Sequence, residues 1–218
     1  MSNLSENDPS ETLLNQPETS NDEAEIIKPR SLIEKTLKIY TVKIANFLAK
    51  YDWITPNRIS ILSALFGGPL ACWLILENYY LIAVAVIIIS GIFDDLDGDL
   101  ARAKGVASKE GAILDSVLDR YVDFFIITAL IFLDPSQHLI PGLLAMFGGM
   151  MVPYIRARSE AEGKSVVAAA IGNRTARFIL IILGISTQQF FPLLILLAVT
   201  SNIAAFQRLF FALKTSIY

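Results

Sequence analysis

Four aspartates, Asp94, Asp97, Asp115 and Asp119, are the residues of this 218-residue chain whose type and spacing could do chemistry. They belong to a longer run, Asp94-Asp95-Leu96-Asp97-Gly98-Asp99-Leu100-Ala101-Arg102, followed by Gly111, Asp115 and Asp119. As a pattern it reads D-x2-D-G-x2-A-R-x8-G-x3-D-x3-D. Asp94 and Asp97 stand three residues apart, and Gly111, Asp115 and Asp119 recur every fourth residue, so each set lines one face of a helix. An uncharged apolar run leads into the first set and another leads away from the second. Carboxylates at membrane depth are expensive and need a partner. Four of them converging from two helices suit hard divalent cations, which take oxygen ligands. Two Mg2+ or Mn2+ ions would neutralise anions that otherwise repel, and could polarise a phosphoryl oxygen. Gly98 and Gly111 let a nucleotide lie close to the backbone, and Arg102 places a permanent cation where a phosphate would be held.

The elements that must position these groups are written in the apolar pattern. The chain is 54% hydrophobic, with a mean hydropathy of +0.53. Several apolar runs of about 18 to 22 residues are long enough to cross a bilayer as helices. The expected fold is all-α, an integral membrane bundle of six transmembrane helices preceded by an amphipathic juxtamembrane helix. Residues 1–30 read as a disordered polar tail with no signal peptide. Over 31–51 the apolar positions Ile33, Leu37, Tyr40, Ile44, Phe47 and Leu48 recur at helical spacing among Glu34, Lys35, Lys38 and Lys43, which reads as a helix lying on the membrane surface. A helix packed on a neighbouring subunit is the other reading. Residues 52–218 form the six-span catalytic domain. Its spans are expected near Ile59–Leu76, kinked at Gly67-Gly68-Pro69, then Tyr80–Ile92 with the aspartate run on its extension, Gly111–Leu133, Leu139–Ile155, Arg177–Thr187 and Phe190–Leu213. The single cysteine, Cys72, excludes an internal disulfide and reads as a packing residue. The net charge of -3 predicts no partner by itself, and nothing points to nucleic acid.

Orientation follows from the basic residues. With the N-terminus in the cytoplasm, the outer loops are Glu77-Asn78, Asp134 to His138, and Ser186 to Gln189, none of which holds a Lys or Arg. All eighteen basic residues then fall on the cytoplasmic side or in the helix ends beside it. Both termini and the aspartate cluster face the cytoplasm in this arrangement. His138, the only histidine, is expected in an exposed outer loop, far from the motif, so any base must be a carboxylate.

The run over 94–119 resembles the signature of the CDP-alcohol phosphotransferases, membrane enzymes that build phospholipids from a CDP-activated lipid, with every fixed residue at the family spacing. The six spans and the preceding amphipathic helix extend the resemblance over roughly 31–215. The resemblance implies a CDP-diacylglycerol or related CDP-lipid donor. The acceptor hydroxyl attacks the phosphorus attached to the lipid, and CMP leaves. It further implies that Asp94, Asp97 and Asp115 ligate metal, and that Asp119 contributes to the second metal and takes the acceptor proton. Gly98, Ala101, Arg102, Ser108 and Gly111 would surround the cytidine nucleotide. Asp95 and Asp99, outside the signature, are expected to face solvent or basic neighbours, and Asp123 to support the ligands from one turn deeper. Asn57, in Thr55-Pro56-Asn57, would either shape the nucleotide site or start the first span. A homodimer in the cytoplasmic membrane is expected from the resemblance.

The acceptor is read from the basic region between the fourth and fifth spans. Arg156, Arg158, Arg174 and Arg177 form a pocket for an anionic acceptor on one reading and express positive-inside bias on the other. Tyr154-Ile155-Arg156-Ala157-Arg158-Ser159-Glu160 resembles the R-A-R-A-E segment of phosphatidylinositol-phosphate synthases and their archaeal ether-lipid relatives. Arg174 and Arg177 match the R-x2-R of the E-R-x-E-R segment, with Asn173 and Ala176 at its acidic positions and Ser159 in place of alanine. Inositol phosphate is the acceptor this favours; phosphatidylglycerophosphate synthase, using glycerol 3-phosphate, is the rival. Two rivals of other classes are a non-catalytic divalent-cation carrier and a catalytically dead scaffold. An EF-hand at Asp95 fails at Leu100 and Val106, and a DDxxD box at Asp94 fails at Gly98.

Overall fold

The computed structural model describes residues 32–164 and 174–214, so the tail expected over 1–30 lies outside the described residues. All the described elements are helical: α1 (Leu32–Leu48), α2 (Pro56–Leu65), a π-helical turn (Phe66–Leu70), α3 (Ala71–Leu76), α4 (Tyr80–Ala103), α5 (Lys109–Leu133), α6 (Pro135–Ala161), α7 (Arg174–Ser186) and α8 (Phe190–Lys214). The chain divides into two compact units, Met1–Lys38 and Ile39–Tyr218.

Thr55 starts α2: its Oγ1 accepts the Arg58 N–H at 3.4 Å, and Pro56 takes the first helical turn, where its missing N–H costs nothing. The alternative role of Asn57 as the helix start is thereby corrected. The kink expected at Gly67-Gly68-Pro69 takes the form of a π turn, which makes room for a proline that cannot donate to the helical ladder. Two serines join α2 to α4. Ser63 Oγ donates to Ser90 O at 2.8 Å and Ser90 Oγ to Ser63 O at 2.9 Å, in a buried reciprocal pair.

Among the described residues, three runs are long and apolar enough to cross a membrane: Pro56–Leu76, Pro135–Ala161 and Phe190–Lys214. α4 and α5, with 24 and 25 residues, have the length. Their composition is broken by the candidate site itself, since Asp94, Asp95 and Asp97 close the apolar part of α4, and Asp119, Arg120 and Asp123 open that of α5. α7 is apolar but short, at 13 residues. The exterior is apolar too: Leu81 is 75%, Phe206 70% and Ile140 65% exposed. So much exposed hydrocarbon has no stable place in water, and the chain is an integral membrane protein.

The buried core runs through α3, α4, α5, α7 and α8, around Ile75, Ile87, Leu130, Ile185 and Leu194. Between α6 and α8, a Cβ on Gly148 would lie 2.5 Å from Ser201 Oγ and 2.7 Å from Asn202 Nδ2. The glycine leaves room for Asn202 Nδ2 to donate across to Leu144 O at 2.9 Å.

His138 departs from expectation. Asp134 caps α6 through the Ser136 and Gln137 N–H groups, so the helix begins at Pro135 and turns His138 inward. It is buried, its Nδ1 lies 2.8 Å from Leu130 O, and its ring stacks on Phe191. A local cap, invisible to a count of apolar residues, decides this. The Ser136 hydroxyl, then the backbone N–H of Gln137, holds the Asp134 carboxyl below its ordinary value. We expect Gly148→Val to lose the Asn202–Leu144 bond and destabilise the protein by about 1–3 kcal/mol. Denaturation followed in detergent checks this, and an unchanged midpoint would refute the packing described.

Candidate active site

The site is built where α4 ends and α5 begins. Gly105 turns the chain with φ +66°, a conformation that glycine adopts at least cost. Ser108 then caps α5, its Oγ accepting the Gly111 N–H at 3.1 Å. Lys104 Nζ donates to Tyr51 O and Ile54 O, each at 2.7 Å, and ties the segment before α2 to the end of α4. These local devices bring the two motif halves face to face. One oxygen each from Asp94, Asp97 and Asp115 lies within 4.8 Å of the others. Asp97 is buried and the other two half-buried. Three converging hard oxygen donors at that spacing fit a divalent cation. Asp119 stands outside this triad, one turn further along α5, with Oδ2 3.4 Å from Arg120 Nη2.

A cavity of about 800 Å³ opens beside the triad. Asp97, Asp115 and all five nucleotide candidates line it: Gly98, Ala101, Arg102, Ser108 and Gly111. Asn57, Thr55 and Asp52 close it from the α2 side. A Cβ on Gly98 would meet nothing nearer than the Arg102 guanidinium at 3.5 Å, and one on Gly111 nothing nearer than Ser108 Oγ at 3.4 Å. Neither glycine is required by packing inside the protein; both keep the cavity wall low. Ser108 is a helix cap as well as a wall residue, a role its position before a lysine and a glutamate signals in the sequence.

The four acceptor arginines fare differently. Arg177 Nη2 donates to Asp123 Oδ2 at 2.8 Å, so Asp123 pairs with an arginine. Arg156 pairs with Glu160 at 2.7 Å. Arg158 turns away and pairs with Glu162, because residues two apart on a helix stand about 200° apart. Arg174 opens α7, but its side chain lies outside the described residues. Two arginines that sequence reasoning missed join the group. Arg120 Nη1 donates to Gly149 O at 3.5 Å, and Arg208 Nη1 to Val152 O at 3.3 Å. Arg208 is also near enough to Arg156 for their charges to interact. Arg120, Arg156, Arg177 and Arg208 thus gather along α6 between Gly149 and Arg156, contributed by four helices. The Nε–H groups of Arg120, Arg177 and Arg208 are buried without a hydrogen-bond partner among the described residues. Buried cationic donors left over in this way are what an anion would satisfy. Arg208 sits in an apolar run 52 positions after Arg156, so no local pattern could have found it.

The fold and site define a helical integral membrane protein with a candidate divalent-metal triad, a nucleotide-sized cavity and an arginine cluster. The chain belongs to the CDP-alcohol phosphatidyltransferase family, whose profile it matches over residues 53–212. It is 33% identical over 161 residues to an archaetidylinositol phosphate synthase of Pyrococcus horikoshii, covering 74% of this chain and 85% of that protein. It is 34% identical over 174 residues to a bifunctional IPC transferase and DIPP synthase of Aquifex aeolicus, covering 74% of this chain. The chain spans 40% of the length of that relative, and 32% of a like-named one from Archaeoglobus fulgidus. The crystal structure of phosphatidylinositol phosphate synthase from Mycobacterium tuberculosis with CDP-DAG bound matches with a TM-score of 0.72 at 27% identity, over 80% of this chain and 94% of that one. A second structure of that enzyme holds manganese and citrate.

The cap on α5 generates a test. Ser108→Ala should cost about 1 kcal/mol of stability, and Ser108→Asp should keep it. Chemical denaturation in detergent reads both, and equal midpoints for the alanine variant and wild type would refute the capping role.

Proposed function

We propose that the chain transfers a phosphatidyl-type group from a CDP-lipid to a phosphorylated polyol, inositol phosphate in the first place, and releases CMP. The observation that carries this reading is the line of α5. Asp115 borders the nucleotide cavity and Asp123 pairs with Arg177 in the arginine cluster. Eight residues of helix separate them by about 12 Å, and Asp119 stands midway. A CDP-lipid in the cavity and a phosphate on the arginines would therefore meet beside Asp119.

In this reading Asp94, Asp97 and Asp115 hold a divalent cation, Mg2+ or Mn2+, and Asp119 contributes to a second. The ions would supply charge neutralisation of the diphosphate and polarisation of its phosphoryl oxygens. Gly98, Ala101, Arg102, Ser108 and Gly111 bind the cytidine diphosphate moiety, with Arg102 on its phosphates. Arg120, Arg156, Arg177 and Arg208 fix the acceptor phosphate, a task for which planar guanidinium forks are suited. Asp119 takes the proton of the acceptor hydroxyl as its oxygen bonds to the lipid-bearing phosphorus. The bond from that phosphorus to CMP breaks, and CMP leaves with the electron pair. Proximity does much of the work, since both reactants are held in one orientation.

The inositol phosphate reading is supported by the names of the relatives and by Ser159. Its hydroxyl donates to Ile155 O at 2.7 Å in its own helix, so the serine serves as a small buried residue in the alanine position. Residues 52–218 would be the catalytic domain with six spans, α4, α5 and α7 crossing beside the three apolar runs. Residues 31–51 would lie on the membrane surface. We place the protein as a homodimer in the cytoplasmic membrane, with both termini and the site on the cytoplasmic side.

CMP release by purified protein with CDP-diacylglycerol and Mn2+ tests the reading, run separately with inositol 1-phosphate, glycerol 3-phosphate, inositol and serine. Release should need a phosphorylated acceptor, vanish with EDTA and return with Mg2+ or Mn2+. Asp119→Ala should lower kcat by at least about a hundredfold. Glycerol 3-phosphate as the preferred acceptor would replace inositol phosphate, and release by none would end the enzymatic reading. Arg208→Ala should raise the acceptor KM about tenfold or more and leave the KM for CDP-diacylglycerol unchanged. An unaltered acceptor KM would remove Arg208 from the acceptor pocket.

A further inference from the structure

We infer that Asp99, held by Thr41 of α1, is a positioning residue that aims the Arg102 guanidinium into the nucleotide cavity. The inference rests on the reading of that cavity as the CDP site. Asp99 occupies a variable place in the signature, the first of the two residues between Gly98 and Ala101, and no metal role falls to it. Its surroundings are nevertheless specific. The side chain is 2% exposed, at the end of a helix where the neighbouring Arg102 side chain is 64% exposed. Arg102 Nη2 donates to Asp99 Oδ1 at 2.7 Å, and Thr41 Oγ1 donates to Asp99 Oδ2 at 2.7 Å. The carboxylate thus spends one oxygen on the arginine and the other on a helix 58 residues away in sequence.

This arrangement is poorly explained by stability alone. An ion pair three residues apart on a helix contributes little when its arginine is exposed, and burying its carboxylate adds a desolvation cost. Its consequence is geometric. The pair folds the Arg102 side chain back along the helix, so that Nη2 and Nη1 lie 3.5 and 3.7 Å from where a Gly98 Cβ would be. Gly98 and Arg102 both line the cavity, and the guanidinium rests over the glycine at its wall. An arginine left to solvent would lose rotamer freedom on meeting a phosphate, whereas this one is already placed. Thr41 is itself buried, beside Ala45 on the inner side of α1, while Tyr40, Ile44 and Phe47 are exposed. The seat of α1 against the end of α4 therefore sets the position of the phosphate-facing cation.

Kinetics of the full chain in detergent, with CDP-diacylglycerol, Mn2+ and a saturating phosphorylated acceptor, test this. Asp99→Asn keeps the shape and removes the charge. It should raise the KM for CDP-diacylglycerol roughly tenfold and leave the acceptor KM within about twofold of wild type. Thr41→Val should shift the same constant in the same direction by less, and Thr41→Ser, which keeps the hydroxyl, should restore it. In an Arg102→Ala background, Asp99→Asn should have no further effect on that KM, because its action passes through the arginine. An unchanged KM in Asp99→Asn, or an equal further rise in the Arg102→Ala background, overturns the inference. Should Asp99→Asn not fold, the Thr41 pair decides it, and an unchanged KM in Thr41→Val overturns it equally. Wild-type protein that releases no CMP overturns the catalytic reading and this inference with it, whereas wild-type release with these results reversed overturns this inference alone.

Discussion

Mutual repulsion among Asp94, Asp97 and Asp115 is the constraint around which the molecule is arranged. With oxygens within 4.8 Å of one another, each pair of ionised groups repels by roughly 3 to 4 kcal/mol at an effective dielectric near 20. Summed over three pairs, that is comparable with the whole stability of an ordinary domain. Such a cluster needs a firm mount and a compensating charge of the kind a divalent cation supplies. The mount is visible in the small polar devices around it: the Ser63–Ser90 pair between α2 and α4, the Lys104 clamp, and the Ser108 cap. The serine pair spans 27 residues and the Lys104–Tyr51 bond 53, and only the cap is local.

The same constraint shapes the membrane part. Helices that carry the aspartates cannot also be uniformly apolar, so α4 and α5 trade hydrocarbon for ligands at their facing ends. The neighbouring run Pro56–Leu76, with α6 and α8, supplies the apolar length they lack. Pairing compensates several of the charged ends: Asp99 with Arg102 and Thr41, Asp123 with Arg177, and Arg120 with the Gly149 carbonyl. Helix α5 runs from the cavity beside Asp115 to the arginine cluster at Asp123.

The two ends of that line differ in how they are built. The cavity end joins α4, the turn at Gly105 and the start of α5 to residues 49–60, and its glycines and alanines leave space. The arginine end is a convergence of α5, α6, α7 and α8, in which long side chains fill space. The first has low walls; the second holds Nε–H groups of Arg120, Arg177 and Arg208 that find no partner among the described residues.

This difference explains what the sequence by itself determined. Spacing of three and four residues places side chains on one helix face, and so the aspartate set, the glycines and Arg102 were legible, as were the helices to within a few residues. Periodicity reports only the face of a residue's own helix. It could not tell that Arg208, 52 positions after Arg156, turns in. It could not see that the Asp134 cap starts α6 early and buries His138, or that Thr41 reaches Asp99. The places of Arg208 and Thr41 were decided by tertiary structure, because they depend on which helices pack together, and partners fifty or more residues apart leave no trace in a local repeat.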